Sequence, residues 1–299
     1  MRAEVHARGV ALLLLCSAAI AACGSEGTAQ NSNENLDVSP QNTTLLKGIN
    51  RISVALLDTQ QNPVAATGVS VRIVNAAGRQ VETRPLTNIG PVYNHIPVLI
   101  GVADFPDAGQ YEYLVTGTGA GGTALSGHAY VTVVPSGPEV AVGSHAPAVT
   151  QALPGDPGVT LAMVDSGVPP DSWHTMTVAQ GIAAHRPMVL YFGDPAYCPT
   201  KTCGPTHQIL EQLCTQFCDR MLFEHIETYF PAGPPGPSAH VNPAFDAFGL
   251  QTDPWIYFVN AAGVVADRFE GPVTLDELSS AADGTLAGRV PAVQVSLNG

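Results

Sequence analysis

The stretch PMVLYFGDPAYCPTKTCGPTHQILEQLCTQFC, Pro187 to Cys218, holds four of the chain's six cysteines and two unlike patterns. Pro187 to Phe192 is a continuous apolar run, as expected of a strand buried on both faces. From Pro205 to Phe217 the apolar residues Ile209, Leu210, Leu213, Cys214 and Phe217 recur with helical period. The loop between them carries Cys198 and Cys203, with four residues separating the sulfurs. The segment therefore reads as strand, cysteine loop, helix. The question it poses is whether the cysteines are a redox pair, a metal site or structural bonds.

Downstream, "MLFEHIETY" reads as a second strand and "NPAFDAFGL" as a short helix. "WIYFVN" and "VVADRFE" read as two strands joined by a turn at Ala261-Ala262-Gly263. "TLDELSSAADGTL" reads as a last helix, with Thr274 and Glu277 spaced as a capping box. Upstream, residues 135–160 are rich in Pro, Gly and Ala and mark a boundary. Before that boundary the signals are strand and turn. Ile52, Val54 and Leu56 alternate with polar neighbours, as do Val69, Val71 and Ile73. Short strands with Gly-rich turns predict an antiparallel β-sandwich.

The first residues read as an address. Arg2 and Arg8 precede an apolar run from about Val10 to Ala22, too short to span a bilayer comfortably. It ends in Ile20-Ala21-Ala22-Cys23, which resembles the lipobox of bacterial lipoproteins. Cleavage is expected before Cys23, with lipid on that cysteine, placing the protein outside the cytoplasm and anchored to the cell membrane. That compartment is oxidising, so paired cysteines there tend to be disulfides. The remaining composition excludes one class of partner. With 12 Lys and Arg, 25 Asp and Glu and a net charge of −13, the chain lacks the basic surface that nucleic acid requires.

Three motifs carry a family resemblance: "VLYFGDPAYCPTKTCGP", "TDPWIYFVNAAGVVADRFEG" and "VGSHAP". Together they resemble the thioredoxin fold, in its TlpA-like and Sco-type envelope branches. The segments "KGINRISVALLDTQQNPV" and "GVADFPDAGQYEYLVTG" look like Ig-like modules of bacterial surface proteins. The fold expected is thus two domains: an N-terminal all-β Ig-like sandwich and a C-terminal α/β thioredoxin-like fold. The expected boundaries are a signal peptide at 1–22, a flexible tether at 23–43, the sandwich at 44–136, a linker at 137–142 and the thioredoxin-like domain at 143–299.

The resemblance implies a thiol–disulfide oxidoreductase working on protein disulfide or dithiol substrates or with a redox partner, without a cofactor. Cys198 and Cys203 would form the redox pair, and Pro254, expected cis, would shape the substrate groove. The family uses Cys-x-x-Cys, so the loop here is about two residues longer. Helical register places Cys203 in the second, sheltered position, where the helix N-terminus favours thiolate. Pro205 suits the first helical position. Cys198 then lies on the exposed loop. Asp194 is the nearest carboxylate. The copper alternative takes Cys198, Cys203 and His207 as ligands, with His225 and His240 as more distant candidates. A third reading makes the bond purely structural. Cys214 and Cys218 are expected to be reduced and packed as small hydrophobes, with Cys198–Cys203 the favoured pairing among three.

Overall fold

The structure is a computed structural model and describes residues 35–93, 97–234, 236–237 and 239–289. The expected signal peptide and the lipidation residue Cys23 lie outside the described residues. Strands β1 (Asp37–Pro40), β2 (Leu45–Leu46), β3 (Gly48–Leu57), β4 (Thr67–Asn75), β5 (Gln80–Pro85), β6 (Thr87–Asn88), β7 (Val98–Phe105), β8 (Gly109–Thr118) and β9 (Ala124–Val134) build the first half. The second half contains α1 (Val178–Ala183), β10 (Met188–Phe192), α2 (Cys203–Phe217), β11 (Leu222–Ile226), β12 (Tyr229–Phe230) and β13 (His240–Val241). It continues with α3 (Pro243–Ala247), β14 (Trp255–Val259), β15 (Val265–Glu270) and α4 (Leu275–Leu286).

Two sheets form in the first half, ordered β1-β3-β7-β6 and β2-β9-β8-β4-β5. Alternation decides which faces they bury. Ile52, Val54 and Leu56 of β3 and Val71 and Ile73 of β4 are all fully buried, in one core with Leu99, Phe105 and Tyr113. The end of the expected tether supplies β1, whose Val38 joins this core. Its neighbour Gly127 admits no side chain, because a Cβ there would lie 2.4 Å from the Leu36 carbonyl oxygen.

A third sheet has the order β11-β10-β14-β15. β10 runs parallel to β11 and antiparallel to β14, and β14 pairs antiparallel with β15. All five residues of β10 are buried, as a strand covered on both faces should be. The expected linker is sewn onto this sheet, with Arg268 Nη1 of β15 donating to Val140 O at 3.0 Å. Thr274 and Glu277 form the expected capping box on α4.

The fold class differs from the expectation of a sandwich followed by a separate α/β thioredoxin-like domain. The protein is mostly β, 36% strand against 19% helix, spread over several sheets, and the described residues form one compact unit. The physical reason lies in a shared core. Ile89, Tyr93, Val98 and Ile100 from the first half pack in one cluster with Val189, Tyr191, Leu210, Ile256 and Leu278 from the second. Tyr93 Oη donates to Val273 O at 3.0 Å, accepts from Val273 N at 2.6 Å and meets Thr206 Oγ1 at 3.2 Å. Arg51 Nε donates to Glu277 Oε1 at 2.6 Å, and its Nη2 reaches Pro272 O at 2.7 Å, with both side chains buried. A buried ion pair is held this way only when its partners are fixed by further hydrogen bonds.

Candidate functional site

Cys198 and Cys203 are bonded to each other, with Cα atoms 5.9 Å apart. That separation lies inside the ordinary disulfide range, so the longer loop accommodates the bond. The two sulfurs differ in access. Cys198 is half-buried at the rim, whereas Cys203 is fully buried.

The helix begins at Cys203, two residues earlier than the Pro205 start expected, and Pro205 is its third residue. Proline remains tolerable there because the first four N–H groups of a helix have no intrahelical acceptor. The N-cap residue Thr202 makes no side-chain cap. Instead Cys203 N donates to Cys198 Sγ at 3.3 Å. Thr200 Oγ1 lies 3.1 Å from the same sulfur and 2.7 Å from Thr202 Oγ1. The Cys198 sulfur therefore takes the place of the missing cap. An anionic sulfur there would gain a helix N–H, a hydroxyl and the positive end of the helix dipole, all of which lower a thiol pKa.

Beneath the bond lie carboxylates that sequence reasoning largely missed. Asp253 Oδ2 is 3.2 Å from Cys203 Sγ. Burial, and then the negative charge of Asp194, push the Asp253 carboxyl up to about 6. Asp194, two residues past the end of β10, accepts from Thr228 N at 2.8 Å, and burial raises its pKa as well. Glu227 accepts from Ser166 N and is pushed up to about 7 by burial. Tyr191 Oη donates to Cys203 O at 2.9 Å and fixes the start of α2. The sequence signal for Asp253 was its place beside Pro254. Its nearness to Cys203 depends on β14 lying next to β10, which no local pattern states.

Pro254 is buried and joined to Asp253 by a cis peptide bond. With Thr200, Thr202, Asp253 and Pro272 it lines a cavity of about 410 Å³ that Gln41 and Thr43 also line. The sulfurs, Asp253 and Pro254 are thus brought together. His207 is not part of this group: its Nε2 lies 2.8 Å from Asp171 Oδ2, and the donor set around the sulfurs is Cys198, Cys203 and Asp253. His225 is also turned to Asp171, and His240 sits exposed in β13.

Cys214 and Cys218 are bonded rather than reduced. Cys218 is the residue that closes α2, so the second cysteine stands at the helix end rather than inside it. Their Cα atoms are 4.7 Å apart, close enough for the bond. Cys214 is partly buried against the shared core, but Cys218 is exposed, so the pair does not pack as two core residues.

No family model matches the chain, and no curated protein matches it. Several solved structures share partial likeness. CopC from Methylosinus trichosporium OB3b is 15% identical over 33% of this chain and 91% of its own, with a TM-score of 0.25. The Lin-41 filamin domain is 16% identical over 34% and 95%, with a TM-score of 0.24. A DUF4426 family protein from Pseudomonas aeruginosa PAO1 is 14% identical over 34% and 90%, with a TM-score of 0.26. At these scores the likeness carries no argument about this protein's function.

Proposed function

We propose that the protein is a thiol–disulfide oxidoreductase working through Cys198 and Cys203. One observation carries the reading: a rim sulfur bonded to a fully buried one at a helix N-terminus, with Asp253 3.2 Å from the buried sulfur. In the reduced protein, the Cys198 thiolate attacks a substrate disulfide. One substrate sulfur leaves as thiolate and takes a proton from solvent, and the other is held in a mixed disulfide with Cys198. Cys203 then passes its proton to the Asp253 carboxylate and attacks Cys198 Sγ. The intramolecular bond forms and the second substrate thiol departs. The reverse sequence oxidises a substrate dithiol. Asp253 suits this role because a carboxyl near 6 is a stronger base than an ordinary one and closer to a thiol.

The test is equilibration in glutathione buffers of known potential, followed by alkylation of free thiols and mass analysis. A Cys198–Cys203 potential above about −300 mV, with exchange on a mixed-disulfide reporter, supports the reading. A lower potential without exchange makes the bond structural and sinks it.

Metal binding by the reduced pair is a second reading, favoured by the close approach of Cys198, Cys203 and Asp253 donors. Soft thiolates select copper(I) or zinc. Titration of the reduced protein with copper(I) tests it, and absence of uptake at micromolar metal removes it.

Cys23 supports placing this chemistry outside the cytoplasm, on a lipid anchor. No helix among the described residues is long and apolar enough to cross a membrane. Mass analysis of the N-terminal peptide from membranes decides the matter: a diacylglyceryl group on Cys23 upholds the anchor, and an unmodified Cys23 thiol removes it.

A further inference from the structure

A second group of donors converges away from the sulfurs. Asp165, Asp171 and His174 lie on the stretch before α1, and His225 lies on β11. One ligand atom from each falls within 4.8 Å of all the others. His174 Nε2 is 3.3 Å from Asp165 Oδ2 and 3.2 Å from Asp171 Oδ1. His225 Nδ1 is 2.9 Å from Asp171 Oδ2 and 3.8 Å from Asp165 Oδ2. A tetrahedral ion with bonds of 2.0–2.2 Å has donor–donor edges of roughly 3.3–3.6 Å. With Asp171 offering Oδ2 as its single donor, two of the three edges, 3.3 and 3.8 Å, fall within about 0.3 Å of that range, and the third, 2.9 Å, is shorter.

Proton placement points the same way. His225 Nε2 lies 2.8 Å from Gly193 O, and a carbonyl only accepts, so Nε2 carries a hydrogen. Nδ1 is then the nitrogen turned to the Asp171 carboxylate, 2.9 Å away with both side chains almost fully buried, where a bound ion would displace the shared proton. A backbone carbonyl holding the far nitrogen is the usual support of a metal-bound imidazole. The carboxylates are also aimed by backbone donors. Gly167 N and Asp171 N serve Asp165, and Trp173 N serves Asp171. Two carboxylates and two neutral imidazoles balance a divalent charge in a buried site.

The sequence context suggests a role. Between Gln151 and Thr177 the described residues hold no regular element except one turn of 3-10 helix, Leu161–Met163. An irregular stretch of that length is uncommon in a compact protein, and this one already meets β11 where Thr175 N and Met176 N donate to Glu224. Asp165, Asp171 and His174 would also fasten it to β11 through one ion. His207 Nε2 on Asp171 would tie the same site to α2.

We propose that Asp165, Asp171, His174 and His225 form a buried structural site for one divalent transition ion of the zinc class. Two imidazoles select such an ion over magnesium or calcium, and four protein donors leave no open position for catalysis.

The oxidised full chain, stripped with chelator, is titrated with zinc sulfate and analysed for metal after dialysis. The expected result is one zinc per chain, none with magnesium, and no change in the Cys198→Ser/Cys203→Ser double variant. His225→Gln should weaken binding by more than the roughly 10–100-fold that loss of an outer partner costs, and His207→Gln by no more than that. Failure of the folded wild-type protein to retain zinc overturns the site, as does retention undiminished in His225→Gln. Should His225→Gln fail to fold, cobalt(II) on the wild-type chain decides. Intense visible bands of a four-coordinate ion without sulfur charge transfer uphold the site. Sulfur charge transfer, or the weak spectrum of a six-coordinate ion, overturns it.

Discussion

At the front of α2, Cys198 and Cys203 are bonded above a buried carboxylate; at its rear, Cys214 and Cys218 are bonded at the surface. Exposure alone would select the rear pair, since Cys218 is open to solvent and Cys203 is fully buried. Helix polarity selects the other. The front sulfur accepts the first N–H of α2 at the positive end of the helix dipole. The rear pair sits among the last carbonyls, where a thiolate is disfavoured. No raised carboxylate faces it among the described residues, whereas Asp253 faces Cys203. On the proposed reading, the chemistry of these disulfides follows the charges aimed at their sulfurs rather than their accessibility.

The sharpest way to break this contrast is to remove one sulfur from each end. Cys198→Ser should abolish exchange on a mixed-disulfide reporter, while Cys218→Ser should leave the rate within about twofold. Equal losses from the two variants would dissolve the distinction between the ends.

Next in size is Asp253→Asn. The second exchange step should slow by about 100-fold at pH 7, the low end of what a positioned acid–base group contributes. In the wild-type protein that step should fade as pH falls through about 6, where Asp253 takes up its proton. The variant should lack this limb. Its stability should move the opposite way. The folded-state value of Asp253 lies above the ordinary 3.8, so the group's stabilising contribution is complete below about 3.8 and is lost as pH rises through about 6. Asp253→Asn should therefore melt higher than wild type at pH 7.5 and match it near pH 3.5. A variant both slower and less stable at pH 7.5 would make Asp253 a packing residue.

Two smaller effects separate the ends by stability. Tyr93→Phe strips Val273 N and O and Thr206 Oγ1 of a buried partner at the front of α2. Urea unfolding should show a loss of about 2–3 kcal/mol. The rear clip spans only four positions, so Cys214→Ala/Cys218→Ala should cost no more than about 2 kcal/mol and leave the front potential unchanged. A shift in that potential would show that the two bonds act together.

Much of the local structure was legible. The apolar positions Ile209, Leu210, Leu213 and Phe217 placed α2, and the capping box placed the start of α4. Alternation identified the buried faces of β3 and β4. The partnerships of these faces were not legible. Tyr93, just after a 3-10 turn, and Ile100 of β7 lie in the half that reads as a sandwich, yet they share a cluster with Tyr191 of β10 and Leu210 of α2, so one core joins what reads as two domains. Periodicity reports that a face is apolar and is silent on what covers it. The carboxylates under the sulfurs were hidden for a similar reason. Asp194, Glu227 and Asp253 are far apart along the chain and meet only through the β11-β10-β14 order. The bonding of Cys214 to Cys218 escaped because the reading set Cys218 on a packed face, whereas it closes the helix in solvent.

By itself the sequence determined the elements around the cysteine loop and the helix terminus that shelters Cys203, because hydrophobic period and turn chemistry act over a few residues. Tertiary structure alone decided the shared core, the carboxylate beneath the buried sulfur and the convergence of Asp165, Asp171, His174 and His225. Each of these depends on strand order and long-range packing. The energies involved are pairwise between residues tens of positions apart, and no local pattern encodes them.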